Sequence, residues 1–281
     1  MFDMRVPYTK MHGTGNQILI VDRRAQNSQP PDAGTLRVLG NEATGPGFDQ
    51  LMWLSPPTDK TSIASYRVFN SDGSEVEQCG NGVRCIARFL AATDDIPQQF
   101  VLQSPAGPVA ARVEAGNLVS VSMGAPVFEP DRIPFAAECA ADTYTLLVEN
   151  RALTISAVSM GNPHAVLQVT DVRTAKVDEI GPLIEHHERF AECTNVGFMQ
   201  IVDRQSIHLR VHERGAGETA ACGTGACAAV VSGQRLGLLD EAVTVHLPGG
   251  QVVVSWRGGE ESVWLKGNAE WINEGTMDLQ E

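Results

Sequence analysis

The sequence predicts an α+β chain built from two similar halves. Three observations carry that expectation: many short apolar or alternating runs, two helical segments that each open behind a glycine-rich cysteine, and a repeat at an offset of 143 residues. Ile18-Leu19-Ile20-Val21 is a short apolar run bounded by Gly and Asn, which suits a buried strand. A helix is expected over Ala33–Asn41. Val83, Ile86, Ala87 and Leu90 recur at helical spacing behind Cys79-Gly80-Asn81-Gly82. Val109–Glu114 and Leu118–Met123 flank Ala115-Gly116-Asn117, a hairpin signal.

In the second half a helix is expected over Asp178–Arg189. There, Glu185-His186-His187-Glu188 reads as a solvated polar face, because adjacent residues do not share a helix face and so make a poor metal site. Ile207, Leu209 and Val211 alternate with His208, Arg210 and His212, the period of a half-buried strand. Ala226, Ala229 and Val230 follow Cys222-Gly223-Thr224-Gly225, and that helix should stop near Gly237. Val243–Leu247 and Gln251–Trp256 flank Pro248-Gly249-Gly250, another hairpin.

The repeat ties these elements together. Shifted by 143 residues, Arg67-Val68 falls on Arg210-Val211, Glu75 on Glu218, Cys79 on Cys222, Gly80 on Gly223 and Gly82 on Gly225. Six of the sixteen columns from Arg67 to Gly82 are identical, where average residue usage gives about one. Asn70 and Glu213 also fall together. Two similar domains that each present a strand, a loop, a cysteine and a helix account for this pattern.

Composition narrows the function. The net charge is −13, from 21 Lys and Arg against 34 Asp and Glu, and no basic stripe is present to meet a nucleic acid. No segment approaches the length of an apolar membrane span, and the first ten residues lack a signal-peptide core, so a cytoplasmic enzyme without a membrane partner is expected. Six cysteines in a reducing compartment stay as thiols. Their spacings fit no zinc pattern. Cys85, Cys227, Cys139 and Cys193 read as small packing residues. Cys79 and Cys222 stand apart because both open a helix at matched positions.

A helix N-terminus offers unpaired N–H groups and partial positive charge, and glycines let a ligand approach them closely. A carboxylate could bind there beside a thiol whose pKa is pulled down. Two such sites acting on one α-carbon give a two-base scheme: a thiolate removes the α-proton from one face and a thiol delivers a proton to the other. N–H donors would stabilise the charge that builds on the carboxylate. The scheme requires no pyridoxal cofactor and no metal.

With these residues in hand, the chain resembles the diaminopimelate epimerases over nearly its whole length. The matching blocks are Met11-His12-Gly13-Thr14-Gly15-Asn16, Gly47-Phe48-Asp49-Gln50, the run Phe69 to Glu75 with Cys79-Gly80-Asn81-Gly82, and Ser159-Met160-Gly161-Asn162-Pro163-His164. They continue with Asn195 to Gln200, Glu213 to Thr219, and Ala221-Cys222-Gly223-Thr224-Gly225. The resemblance implies interconversion of LL- and meso-2,6-diaminoheptanedioate on the path to lysine and cell-wall precursor. It also implies two pseudo-symmetric domains, each a mostly antiparallel β-sheet or barrel wrapped around a central helix, with the active site in the cleft between them. Residues 1–123 with 268–281 would form the domain of Cys79, and 124–267 that of Cys222.

By the same resemblance, Cys79 and Cys222 are the acid–base pair. Backbone groups at Gly80, Asn81, Gly223 and Thr224 would hold the reacting carboxylate. Asn16, Gln50, Asn70, Asn162, Asn195, Glu213 and Arg214 would read the unreactive end of the substrate, with Arg214 suited to a carboxylate and Glu213 to an ammonium. His164 and Glu213 would tune the thiols. Two departures are visible: Gly15-Asn16-Gln17-Ile18 replaces the family's Gly-Asn-Asp-Phe, and Asn273 stands where many members carry a tyrosine linked to dimerisation. A homodimer remains the expected assembly. The rival readings are a proline or hydroxyproline racemase, a cysteine-nucleophile hydrolase or amidotransferase using His164 as base, and a binding protein for dicarboxylic amino acids.

Overall fold

The computed structural model describes residues 4–76 and 79–279. The contact pattern divides the chain into two units: one ends at Val121 and resumes at Gly267, and the other is Ser122–Lys266. Four α-helices are described, α1 (Ala33–Gly40), α2 (Gly80–Thr93), α3 (Val177–Glu185) and α4 (Gly223–Arg235). The remaining regular structure is mostly strand, as the many short alternating runs predict.

In the first unit, Met4–Gly13 forms a hairpin with Asn16–Asp22 and also pairs antiparallel with Glu270–Leu279. Asn16–Asp22 then runs parallel to Gln50–Ser55, which pairs antiparallel with Ser62–Asn70. Ser62–Asn70 runs parallel to Gln99–Ser104, and Gly107–Val113 and Leu118–Ser122 follow antiparallel. Parallel neighbours need a long crossover. Here α1 makes the first and α2 the second.

The second unit repeats this plan strand for strand. Arg151–Ser159 pairs with Tyr144–Val148 on one side and forms a hairpin with Pro163–Gln168 on the other. Pro163–Gln168 runs parallel to Asn195–Asp203 through α3, and Ser206–Glu213 runs parallel to Ala242–Leu247 through α4. The antiparallel pairs fall in the same places.

In each unit one helix lies against strands from widely separated positions in the sheet order. Helix α2 touches Met4–Gly13 and Gly107–Val113, and α4 touches Arg151–Ser159 and Gly250–Ser255, so each sheet curls around its helix. The outer face of each sheet takes the other helix. In the first unit Leu36 and Leu39 of α1 pack with Leu19, Val21, Leu51 and Trp53; in the second Val177 and Ile184 of α3 pack with Ala165, Leu167, Val196 and Phe198. That two-sided burial explains why Ile18-Leu19-Ile20-Val21 is apolar throughout instead of alternating. A fully buried side chain of this size contributes about 2 kcal/mol.

The repeated residues make repeated bonds. Arg67 reaches Glu75 through two bonds of 2.7 Å, and Arg210 reaches Glu218 through bonds of 2.6 and 2.7 Å. Each clasp fastens a short returning strand, Glu75–Val76 or Gly217–Thr219, to the long strand before the cysteine.

Some expectations change. Helix α3 stops at Glu185, not Arg189: the backbone turns at His186 so that Phe190 can reach the core beside Phe135, with ring centroids 4.7 Å apart. Glu185 and His212 lie inside, although both read as solvent-facing; their side chains hydrogen-bond to each other. Cys85 and Cys227 are buried, as packing residues should be. Cys139, however, is exposed, and Cys193 is half-buried at the left-handed φ of 59°.

Candidate active site

Cys79 and Cys222 occupy the same local geometry. Each is the N-cap of its helix in an extended conformation, and each sulfur accepts a hydrogen bond from the backbone N–H three residues on: Gly82 to Cys79 Sγ at 3.2 Å and Gly225 to Cys222 Sγ at 3.3 Å. A thiol here takes the place usually held by Ser, Thr, Asp or Asn. A Cβ at Gly82 would lie 2.5 Å from the Met52 sulfur, so that glycine lets the helix start press against the sheet.

The unit of the first cysteine brings further candidate residues together at strand ends. Gln50 and Asn70 face each other across their strands, and Gln50 Nε2 donates to Asn70 Oδ1 at 3.0 Å. Asn70 Nδ2 reaches Ser74 Oγ, also at 3.0 Å, across a loop turned at Gly73, whose φ is 86°. Asn16 begins the neighbouring strand. Asn16 Oδ1 and Gln50 Oε1 are buried oxygens without a hydrogen-bond partner among the described residues. Leaving such an acceptor unmet costs about 1–3 kcal/mol, so both oxygens ask for a donor.

The helix that Cys79 caps also carries a charged side chain that its apolar periodicity does not single out. Arg84 has no exposed surface, yet its guanidinium donates to Asn81 Oδ1 at 2.8 Å, Thr14 Oγ1 at 2.9 Å and the Asn268 carbonyl at 3.3 Å. It is the only charged residue between Gly80 and Ala87, which is the one signal that could have drawn attention to it.

Around Cys222 the structure gathers Asn162, His164, Asn195, Glu213, Arg214 and Thr224. Cys222 Sγ lies 3.5 Å from Thr224 Oγ1, which in turn accepts from Asn162 Nδ2 at 3.5 Å. Asn162 Oδ1 sits 3.0 Å from His164 Nε2. His164 therefore bonds to an asparagine, not to the thiol, which weakens its candidacy as the base of a hydrolase. Its ring is fully buried, and burial, helped by the nearby Arg214 charge, pushes it down to about 3. It is a neutral imidazole at neutral pH.

Asn195 fixes the start of the Glu213–Arg214 loop. Its Nδ2 donates to the Pro163 carbonyl at 2.9 Å, and its Oδ1 accepts from the Arg214 N–H at 3.1 Å. Glu213 is held by a short hydrogen bond from the Thr219 hydroxyl. Glu185, whose role was missed, supports the same loop from α3: it bonds to His212 Nε2 and to the Gly215 N–H, each at 2.7 Å. Gly181 makes room for this pair, since a Cβ there would come within 2.6 Å of the His212 ring.

The helix N-terminus alone predicted a lowered Cys222 pKa, and the structure reverses that direction. Burial pushes the thiol well above its usual range, and the Glu213 carboxylate adds to the effect; bonds from Thr224 and Gly225 only partly offset it. Cys222 keeps its proton. Among the described residues there is no cluster of His, Cys, Asp and Glu side chains arranged to hold a metal ion, and no helix is long and apolar enough to cross a membrane.

Comparison with solved structures first shows the fold. A hydroxyproline epimerase from Agrobacterium vitis, with trans-4-hydroxy-L-proline bound, shares the fold with a TM-score of 0.69 over 99% of this chain and 93% of its own, at 15% identity. Sequence then gives the family: the diaminopimelate epimerase pattern matches residues 8–129 and 156–272, and the chain belongs to that family. The diaminopimelate epimerase of Thioalkalivibrio sulfidiphilus (strain HL-EbGR7) is 48% identical over 285 residues, covering 98% of this chain and 100% of that protein. That of Nitrosomonas europaea (strain ATCC 19718) is 49% identical over 277 residues, with the same coverage. The chain is an isomerase with a small-molecule substrate.

Proposed function

We propose that this enzyme interconverts LL- and meso-2,6-diaminoheptanedioate by moving the α-proton between two thiols, in the cytoplasm, on the path to lysine and peptidoglycan precursor. The reading rests on family membership together with one observation: two cysteines cap equivalent helices through the same N–H to sulfur bond. Cys79 as thiolate takes the proton from the α-carbon, and the electron pair left behind spreads into the adjoining carboxylate. Cys222, which keeps its proton at rest, delivers it to the opposite face of that carbon. The reverse reaction exchanges the roles.

Backbone N–H groups at Gly80-Asn81 and Gly223-Thr224 receive the reacting carboxylate and meet its growing charge without reorganising. The unreactive end carries an ammonium and a second carboxylate. Asn16 Oδ1 and Gln50 Oε1 are acceptors of the kind an ammonium would satisfy. By the family resemblance, Asn70, Asn162, Asn195 and Glu213 would also read this end, and the Arg214 guanidinium would supply a planar fork for the carboxylate. A site that must pair both groups rejects analogues lacking them. His164, held neutral, contributes no charge near Cys222 and orients Asn162.

Incubation with LL-diaminoheptanedioate in heavy water tests substrate and mechanism together. The expected product is the meso isomer with deuterium at the inverted α-carbon. Inversion without solvent label would sink the two-thiol scheme, and recovery of unchanged substrate would sink the choice of substrate.

A further inference from the structure

We infer that Arg84 is a positioning residue that locks the start of α2 and the turn leading to Asn16 into one piece, so that the two ends of the substrate are held in register. The inference rests on the proposed epimerisation. Burying a guanidinium is costly if its hydrogen bonds are poor, and nothing in the helix itself requires a charge at this position. Three bonds show where it is used. One reaches Asn81 Oδ1, in the turn whose N–H groups are assigned to the reacting carboxylate. The second reaches Thr14 Oγ1, in the turn that hands the chain to Asn16. The third reaches the Asn268 carbonyl, and the Asn268 side chain in turn accepts from the Thr14 N–H at 3.4 Å.

The turn is shaped to receive that fork. Thr14 and Gly15 both adopt left-handed φ values, 57° and 82°, which is unusual for a β-branched residue. A Cβ at Gly13 would come within 3.2 Å of the Arg84 terminal nitrogen. The sister unit supplies a control. At the offset of 143 residues Arg84 corresponds to Cys227, which is equally buried in α4 and carries no positive charge. The same scaffold thus wraps the same helix without a cation there, so the scaffold alone does not explain Arg84. The feature it serves is specific to the first unit, which holds Asn16 and Asn81.

The test compares wild type with Arg84→Met, which keeps the length, Arg84→Lys, which keeps the charge, and Thr14→Val, which removes one acceptor. Initial rates with LL-diaminoheptanedioate are taken per mole of folded protein, the folded fraction being read by circular dichroism at the assay temperature. Arg84→Met is expected to lower kcat/KM about 100-fold, with KM raised and kcat reduced together. Arg84→Lys should recover about tenfold of that loss, and Thr14→Val should lose about tenfold. A variant that melts earlier but keeps wild-type kcat and KM when folded would overturn the inference and leave Arg84 as a stabilising residue only. If Arg84→Met does not fold, unchanged kinetics in both Arg84→Lys and Thr14→Val overturn it equally. An inactive wild type overturns the epimerisation reading first, and this inference with it.

Discussion

Cys79 and Cys222 cap equivalent helices through equivalent bonds, yet side chains at matched places in their two units differ in charge. In the unit of Cys79 the amides of Gln50 and Asn70 pair, and the buried cation Arg84 lies on the helix that Cys79 caps. Beside Cys222 stand the Glu213 carboxylate, the Thr224 hydroxyl and a neutral imidazole behind Asn162. Asn70 and Glu213 occupy matched places in the repeat, as do Arg84 and Cys227. What the units share is geometry: the strand plan, the Arg–Glu clasp and the sulfur-capped helix. What they do not share is the charge at these matched positions. In the proposed relay one thiol holds a proton while the other lacks it, and the raised pKa of Cys222 suits it to the proton-holding role.

Three experiments probe the contrast, the largest effect first. Cys79→Ala and Cys222→Ala should each reduce net epimerisation by about 10³-fold or more, despite their unequal burial, because each removes one half of the proposed relay. Circular dichroism would verify folding. A single variant that kept normal turnover would break the equivalence of the two sulfurs.

The second concerns His164, the buried imidazole of the second unit. Its folded value of about 3 lies below the roughly 6.5 of an unfolded histidine. At acid pH the unfolded chain therefore binds a proton that the folded chain refuses. The contribution is complete above the unfolded value and drains away as pH falls from about 6.5 towards 3, at about 1.4 kcal/mol per pH unit. Urea unfolding of wild type and His164→Gln from pH 7 to pH 4 reads the difference: the variant should lose less stability on acidification. Parallel pH slopes would mean that the ring is charged or solvated in the folded protein.

The smallest effect separates the two clasps. Arg210 is more covered than Arg67, its side chain 24% against 40% exposed, and it also donates to the Val172 and Ala175 carbonyls at 3.0 Å. Arg210→Met should cost about 2 kcal/mol and Arg67→Met about 0.5–1 kcal/mol. Equal losses in urea unfolding would show that the extra carbonyl bonds contribute nothing.

Much of this arrangement is visible in the sequence, for definite reasons. The run Ile18 to Val21, the hairpin turns at Gly116 and Gly249, and the helices behind Cys79 and Cys222 follow from apolar period and glycine placement, both local properties. The repeat points to the two cysteines because identical residues at a fixed offset preserve identical bonds, and Arg67–Glu75 and Arg210–Glu218 make those bonds. Tertiary pairs were hidden. Glu185 and His212 read as polar surface because periodicity cannot see that α3 and the strand bring them together over Gly181. Arg84 lay unnoticed inside an amphipathic pattern that registers only apolar residues. The direction of the Cys222 shift is not legible in the sequence because the helix terminus is a local feature, whereas burial and the Glu213 charge come from the folded unit.

The sulfur caps carry one more consequence. In each unit the atom assigned to proton transfer is also the acceptor that closes the first turn of its helix. An alkylating reagent that consumes the thiolate leaves a bulky thioether at that spot, a poorer partner for the Gly82 or Gly225 N–H. Covalent inhibition would then loosen the helix entrance as well as block the chemistry, and a thiol-directed inhibitor should announce itself by faster amide exchange in that first turn.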